Sequence, residues 1–280
     1  MFCKLVRYDI RAGIADRIRV FAAPLLIYMF AFVNYIVRVN SYISQGNALN
    51  LGRSLGDVLL FIYGGMKEYD PDAERRFSFP ALWMLLYLLL AYIVLYYPHR
   101  DLEENGQNIL IRTGGRELWW LSKCVWSALT VVLYFIDGWA VAVLGCILTG
   151  VPLTMKLSPN INVLFEMSGF GLRHPDALAA ETMIMPLLVM ISVSLMQMAL
   201  SLYVRPVFSF IITIAVLLAG TYFMNPLFIS NYAMPVRSSG MITGGVSSLR
   251  GYLICIVLTL ASITGGMIRF LRYDILSREN

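Results

Sequence analysis

The polar positions of this chain fall into blocks, and the blocks are separated by long runs with almost no charge. Uncharged apolar runs of about 18 or more residues are what a helix needs to cross a bilayer. Six runs of about that length are present, at 20–37, 79–97, 124–148, 183–204, 207–224 and 251–268. Pro24 and Pro80 stand near the starts of the first and second, where proline is tolerated. Tyr96 and Tyr97 give the second an aromatic interface end, and Pro98 closes it. Only Arg205 and Pro206 separate the fourth run from the fifth, so these two helices are expected to be antiparallel neighbours. The pattern predicts an all-α, polytopic membrane protein: one transmembrane domain over 1–280, with six transmembrane helices.

The polar blocks have patterns of their own. Over 1–19, Phe2, Val6, Ile10, Ile14 and Ile18 recur every four residues, with Lys4, Arg7, Arg11 and Arg17 largely elsewhere on the wheel. That spacing predicts an amphipathic helix lying in the interface against membrane lipid. An ordinary basic flank that sets topology is the other reading of the same residues. Residues 55–63 are apolar but too short to span, which suggests a small helix packed on the membrane surface. The block 225–250 carries Pro226, Pro235 and the Gly244–Gly245 pair at apparent membrane depth. Broken backbone there must be buried in protein or line a cavity, so an outer re-entrant segment is expected, with a loose outer loop as the alternative.

Composition agrees with the pattern. The chain of 280 residues is 59% hydrophobic with a mean hydropathy of +0.70, and only 14% charged, against roughly 25% in soluble domains. The net charge of +5 matters less than its placement. Thirteen Lys and Arg lie in about 60 positions at the N-terminus, the 98–123 loop, the Arg205 turn and the tail; the remaining nine are spread over about 100 positions in the opposite loops. The bias predicts both termini inside and reads as orientation, not as nucleic-acid binding. Cys3, Cys124, Cys146 and Cys255 form no C-x-x-C pair, and the only histidines are His99 and His174. No metal site or disulfide framework is expected from that set.

Among intramembrane polar residues Asp137 stands out, 13 residues into the third run, roughly 20 Å along a helix at ~1.5 Å per residue. A charge at that depth costs about 2.5–3.5 kcal/mol, so Asp137 should face protein or water. Arg38, at the far end of the first run, is a candidate partner that could snorkel toward it. Asn34 and Gln197 are weaker cases of the same kind. Asp137, Arg38 and Asn34 are the candidates for a translocation path; a fixed helix–helix tie is the plainer reading of Asp137. Ser262 with Gly266, and Ala261 with Gly265, form small-xxx-small pairs that permit close helix packing.

The most structured polar block is the 98–123 loop, with LEENGQNILIRTGGRELWWLSK over 102–123. It holds both signs of charge, breaks at Gly106 and at Gly114–Gly115, and a Trp119–Trp120 pair. A short helix is predicted over about 105–112 and a stretch along the interface over 116–122, with the tryptophans at headgroup depth. With its N-terminal helix, six spans and structured second loop, the chain resembles the membrane subunit of an ABC exporter of the ABC-2 type. The residues that carry the resemblance are Glu103, Glu104 and Gly106, then Ile109, Leu110 and Ile111, then Thr113, Gly114, Gly115 and Arg116, and finally Lys123. Gln107 and Gly114 depart from the Thr or Ser and the Pro that are common in the family.

The resemblance implies a cytoplasmic coupling loop over 98–123, in which Ile109, Leu110 and Ile111 seat in an ATPase, Glu103, Glu104 and Arg112 set the register, and Gly106 and Arg116 belong to the same coupling segment. No G-x-x-x-x-G-K-[ST] occurs in the sequence, so no cofactor is expected in this chain. ATP and Mg would belong to a separate ABC ATPase subunit, and a second permease subunit, identical or different, would complete the transporter. The implied function is export of an amphipathic or hydrophobic substrate, peptide or lipid-like, across the cell membrane, with a bacterial cytoplasmic membrane expected. Two other readings are open: a membrane sensor or immunity protein that binds a peptide without transport, and an intramembrane enzyme. The enzyme reading is poorly served. Glu103–Glu104 is followed by Asn108 where a CAAX-type protease pattern requires Arg, and His174 lies in a loop.

Overall fold

The structure is a computed structural model that describes residues 1–44, 53–69, 77, 79–102, 115–165 and 175–272; side chains of 175–180 are not described. The described elements are helical. They are α1 (Phe2–Gly13), a 3-10 segment (Ala15–Phe21), α2 (Ala22–Ser44), α3 (Leu55–Tyr63), α4 (Ala81–Leu95), α5 (Tyr97–Asp101), α6 (Arg116–Thr149), α7 (Pro175–Leu200), α8 (Pro206–Tyr222) and α9 (Ser248–Leu271). Short 3-10 turns lie at Ile161–Phe165, Ile229–Ala233 and Pro235–Arg237.

Five helical stretches among the described residues are long and apolar enough to cross a membrane: Ala15–Ser44, Ala81–Asp101, Arg116–Thr149, Glu181–Leu200 and Ser248–Leu271. The chain is a multi-pass membrane protein by this measure. The fifth apolar run forms α8, which at 17 residues is shorter than the other five. Helix α7 is the most enclosed of the long helices and touches α3, α4, α6, α8 and α9. Its apolar residues are spread over all its faces and not gathered in one stripe, and a helix of that kind is found in the interior of an assembly.

Three local expectations need correction. First, the N-terminal helix stops at Gly13, not near residue 19; the chain kinks through a 3-10 segment with non-helical backbone at Arg17. Its buried line is Leu5, Asp9 and Gly13, whereas Ile10 and Ile18 are exposed. A Cβ on Gly13 would sit 2.3 Å from Trp126 Nε1, so glycine there lets α1 dock against α6. Second, 116–122 does not run along the interface. It is the first two turns of α6, continuous with the third span, and both tryptophans are buried. Trp119 stacks on Phe270 at 4.6 Å, and Trp120 donates from Nε1 to Ile263 O at 2.9 Å. The pair packs against α9.

Third, α3 does not lie on a surface. Every residue in it except Phe61 is buried, because its sequence offers no polar face to solvent. Ser54 caps it by accepting from Asp57 N at 3.1 Å. Asp57 in turn accepts from Ser158 N at 2.8 Å and Ser158 Oγ at 2.5 Å, tying α3 to the chain that leaves α6. That chain starts at Gly150, whose φ of +70° closes α6 in the left-handed conformation glycine adopts freely.

The 225–250 block is packed, not loose. Residues 229–237 are all buried. Trp83 donates from Nε1 to Ala233 O at 3.0 Å, and Ser230 Oγ donates to Val216 O at 2.9 Å. Tyr232 OH also donates to Pro226 O at 2.8 Å, so carbonyls of this irregular segment are met by protein side chains.

Candidate functional site

The site builds from one lysine. Lys123 lies two turns into α6, and only 1% of it is exposed. An ammonium so buried needs partners, and it has two carboxylates. It pairs with Asp9 Oδ1 of α1, and with Asp101 Oδ2 at the end of α5 at 2.6 Å. Asp9 and Asp101 are 1% and 4% exposed. The remaining carboxylate oxygens are also occupied. Ser122 Oγ donates to Asp9 Oδ2 at 2.6 Å, Tyr97 OH to Asp9 Oδ1 at 2.9 Å, and Tyr8 OH to Asp101 Oδ1 at 3.1 Å. The ammonium sits 4.8 Å from the Tyr97 ring centre and 4.9 Å from that of Trp119. Ion pair, hydroxyls and ring faces form one knot that joins α1, α5 and α6.

The knot sits at the root of the polar loop. Residues 103–114 connect α5 to α6, Asp101 is the last residue of α5, and Lys123 is on α6. Further ties bind the same end of the bundle. Arg116 Nη1 donates to Leu271 O at 2.8 Å, His99 Nε2 contacts Ser201 O at 3.1 Å, and Arg269 Nε donates to Leu202 O at 3.2 Å.

Of the sequence-predicted coupling residues, Glu103, Glu104, Gly106, Ile109, Leu110, Ile111 and Arg112 lie outside the described residues. Arg116 is described, and its contact is with α9. Of the translocation-path candidates, Asn34 and Arg38 meet each other and not Asp137. Arg38 Nε donates to Asn34 Oδ1 at 3.1 Å, one helical turn away, and its guanidinium lies over the Phe61 ring at 5.8 Å. Asp137 is half-buried, and its Oδ2 has no hydrogen-bond partner among the described residues. Beside it, a Cβ on Gly138 would lie 2.2 Å from Tyr63 Oη and 2.7 Å from the Tyr28 ring, so α3 reaches down to the Asp137 level of α6. The Tyr28 ring packs edge-on against Tyr63 at 6.0 Å and Tyr134 at 5.6 Å.

A second polar centre lies in the 225–250 block. Arg237 is fully buried, and all five of its N–H groups are used. Nε donates to Met66 O at 2.9 Å. One terminal nitrogen donates to Gly220 O and to Asn231 Oδ1, the latter at 2.5 Å. The other donates to Lys67 O at 3.1 Å and Thr221 O at 2.8 Å. Burial pulls its guanidinium down to about 10, with the Glu68 charge opposing, so Arg237 stays charged at neutral pH. It fastens the chain that follows α3, the end of α8 and the 3-10 turns to one another.

Sequence reasoning missed Asp9 and Asp101 as partners of Lys123, and Arg237 as a hub. A signal for Asp9 was present: it breaks a helical face otherwise read as basic and apolar. Arg237 carried none, because a single arginine in a Pro- and Gly-rich block looks like any loop cation. Among the described residues no group of three or more His, Cys, Asp and Glu is arranged to hold a metal ion. Comparison with family models, with curated proteins and with solved structures finds no match for this chain.

Proposed function

We propose that this chain is the membrane-spanning subunit of an ATP-driven exporter of the ABC-2 kind, moving an amphipathic or hydrophobic substrate by alternating access. Its partners are a cytoplasmic ATPase on a separate polypeptide, which holds ATP and Mg, and a second membrane subunit. The observation that carries the reading is the Asp9–Lys123–Asp101 knot at the root of the 103–114 loop. A transporter driven from outside its own chain needs a loop that receives force and a stiff joint that hands it to the spans. A buried ion pair with its hydrogen bonds filled is such a joint, since it has few alternative arrangements.

In this reading α8 is also a span, the fifth in chain order, which brings the number to six. Its 17 residues cover about 26 Å at ~1.5 Å each, close to the roughly 30 Å hydrocarbon thickness. Both termini are cytoplasmic, and the chain sits in the cell membrane. Asp137, beside the Tyr28–Tyr63–Tyr134 cluster, is the polar point nearest a path between α2, α3 and α6. Ile109, Leu110 and Ile111 enter the ATPase, with Glu103, Glu104 and Arg112 around them.

The test is affinity purification of tagged protein from its host in mild detergent, with an ATP hydrolysis assay. A stoichiometric ATPase subunit is expected, and Ile109→Asp or Leu110→Asp should release it without lowering the amount of folded protein. A single polypeptide with no ATPase, still binding a peptide through its far loops, would replace this reading with the sensor one.

A further inference from the structure

Three covered oxygens between α2, α3 and α6 have no hydrogen-bond partner among the described residues: Tyr28 Oη, Tyr63 Oη and Asp137 Oδ2. Tyr28 and Tyr63 are 0% and 1% exposed. The three stand together. A Cβ on Gly138, next to Asp137, would lie 2.2 Å from Tyr63 Oη and 2.7 Å from the Tyr28 ring, and the Asp137 charge acts on Tyr63. The two hydroxyls lie near each other without a hydrogen bond of proper geometry between them. Tyr134, the third ring of the cluster, has its hydroxyl spent on Leu86 O at 2.7 Å and offers only its face. Buried polar groups of folded proteins are met by protein, water or a ligand, so three unmet ones at one place point to an occupant.

The oxygens themselves select its chemistry. Asp137 has no ion pair among the described residues, and Arg38 is bonded to Asn34 instead. An unpaired carboxylate within a span calls for a cation. Hard metal cations take about six oxygens or more, and two phenols with one carboxylate are too few. A protonated primary amine has three N–H donors for three acceptors, and its charge is favoured beside ring faces. The way in is apolar: Asp137 is half-buried, and Leu133, Ala140 and Leu144 on its side of α6 are exposed. We propose that Asp137, Tyr28 and Tyr63 bind the protonated primary amine of an amphipathic molecule whose apolar tail lies along Leu133, Ala140 and Leu144. Asp137 balances the charge, and the two hydroxyls accept the remaining N–H groups. In the exporter reading this names the substrate class. The site itself rests only on the multi-pass assignment and is tested without an ATPase, so failure of either reading leaves the other standing.

The test uses the full chain in detergent at about pH 7, where an alkyl amine is protonated. Octylamine, octyltrimethylammonium and octanol share one tail, and Kd for each is read from the rise of melting temperature with concentration. Octylamine is expected to bind best. Octyltrimethylammonium keeps the charge but has no N–H donor, and should bind roughly tenfold more weakly. Octanol should give no saturable rise. Asp137→Asn should abolish the rise with octylamine, and Asp16→Asn, which removes an exposed carboxylate elsewhere, should not change it. Tyr28→Phe and Tyr63→Phe should each weaken octylamine by roughly tenfold. Without ligand both should melt at or above the parent, since each removes a hydroxyl that nothing meets. A merely structural role for these hydroxyls would lower the melting temperature instead. If Asp137→Asn does not fold, the two tyrosine variants carry the test. Octanol binding as tightly as octylamine would reduce the site to apolar contact and overturn the proposal. So would octylamine binding unchanged in the Asp137 and tyrosine variants. Displacement of octylamine by an equal concentration of sodium or potassium would assign the site to an inorganic cation and overturn the amine.

Discussion

Lys123 shows what a buried charge demands of its neighbours. It has two carboxylates, and they in turn have three hydroxyl donors, so no member can be removed without stranding another. Such a pair adds little net stability over an apolar core, but breaking one side costs about 3–5 kcal/mol. Lys123→Met should therefore lower the detergent melting temperature sharply, while adding Asp9→Asn and Asp101→Asn should recover most of the loss. Equal melting of Lys123→Met and the parent would mean the knot is not a joint. Asp57 makes the opposite case, a buried carboxyl with hydrogen bonds but no ion pair to a cation among the described residues. Burial pushes it up from its ordinary value, and the bonds from Ser158 and Ser54 hold it back only in part. The folded chain then binds this proton more tightly than the unfolded chain. The stabilising term is full below the unfolded carboxyl pKa and is lost as pH rises through the raised folded value. Melting curves of the parent and Asp57→Asn from about pH 4 to about pH 7 should show the difference moving against the parent as pH rises.

At the scale of elements, the uncharged apolar runs located the five long helices among the described residues, because such a run in lipid must close its backbone bonds within itself. They could not locate contacts that depend on shape. Trp119 and Trp120 sit near a span end, where tryptophan is usually an interface residue, and only the structure shows Gly266 opposite them. A Cβ on Gly266 would lie 2.0 Å from the Trp120 ring, whereas one on Gly265 meets nothing within 4 Å. The two neighbouring glycines thus predict different outcomes from the same change. Gly266→Ala should destabilise by about 1–3 kcal/mol through overpacking against α6. Gly265→Ala should stay within about 0.5 kcal/mol of the parent. Melting temperatures of the two variants decide it, and equal losses would mean that α9 does not seat on Trp120. Helix α3 was misjudged for a similar reason. Nine apolar residues are too few to span, but length does not say whether a short helix lies on a bundle or within it. Absence of a polar face was the signal, and it points inward.

For the whole molecule, the two polar centres mark opposite ends. The Lys123 knot gathers α1, α5 and the start of α6; Asp57, Ser158 and Arg237 gather α3, the chain leaving α6 and the 225–250 block. The long helices between them carry few charges, so orientation rests on which end faces the cytoplasm. The density of Lys and Arg predicts that the knot end does. The chain carries its own reporter for that prediction. Cys3 is exposed at the start of α1, while Cys124, Cys146 and Cys255 are buried. A thiol reagent that cannot cross the membrane should leave Cys3 unlabelled on intact cells and label it after permeabilisation. Lys156→Cys, at an exposed position beyond α6, should label on intact cells. Labelling of Cys3 from outside would invert the molecule. It would put the 103–114 loop where no cytoplasmic ATPase can reach it, and the exporter reading would fall with the orientation.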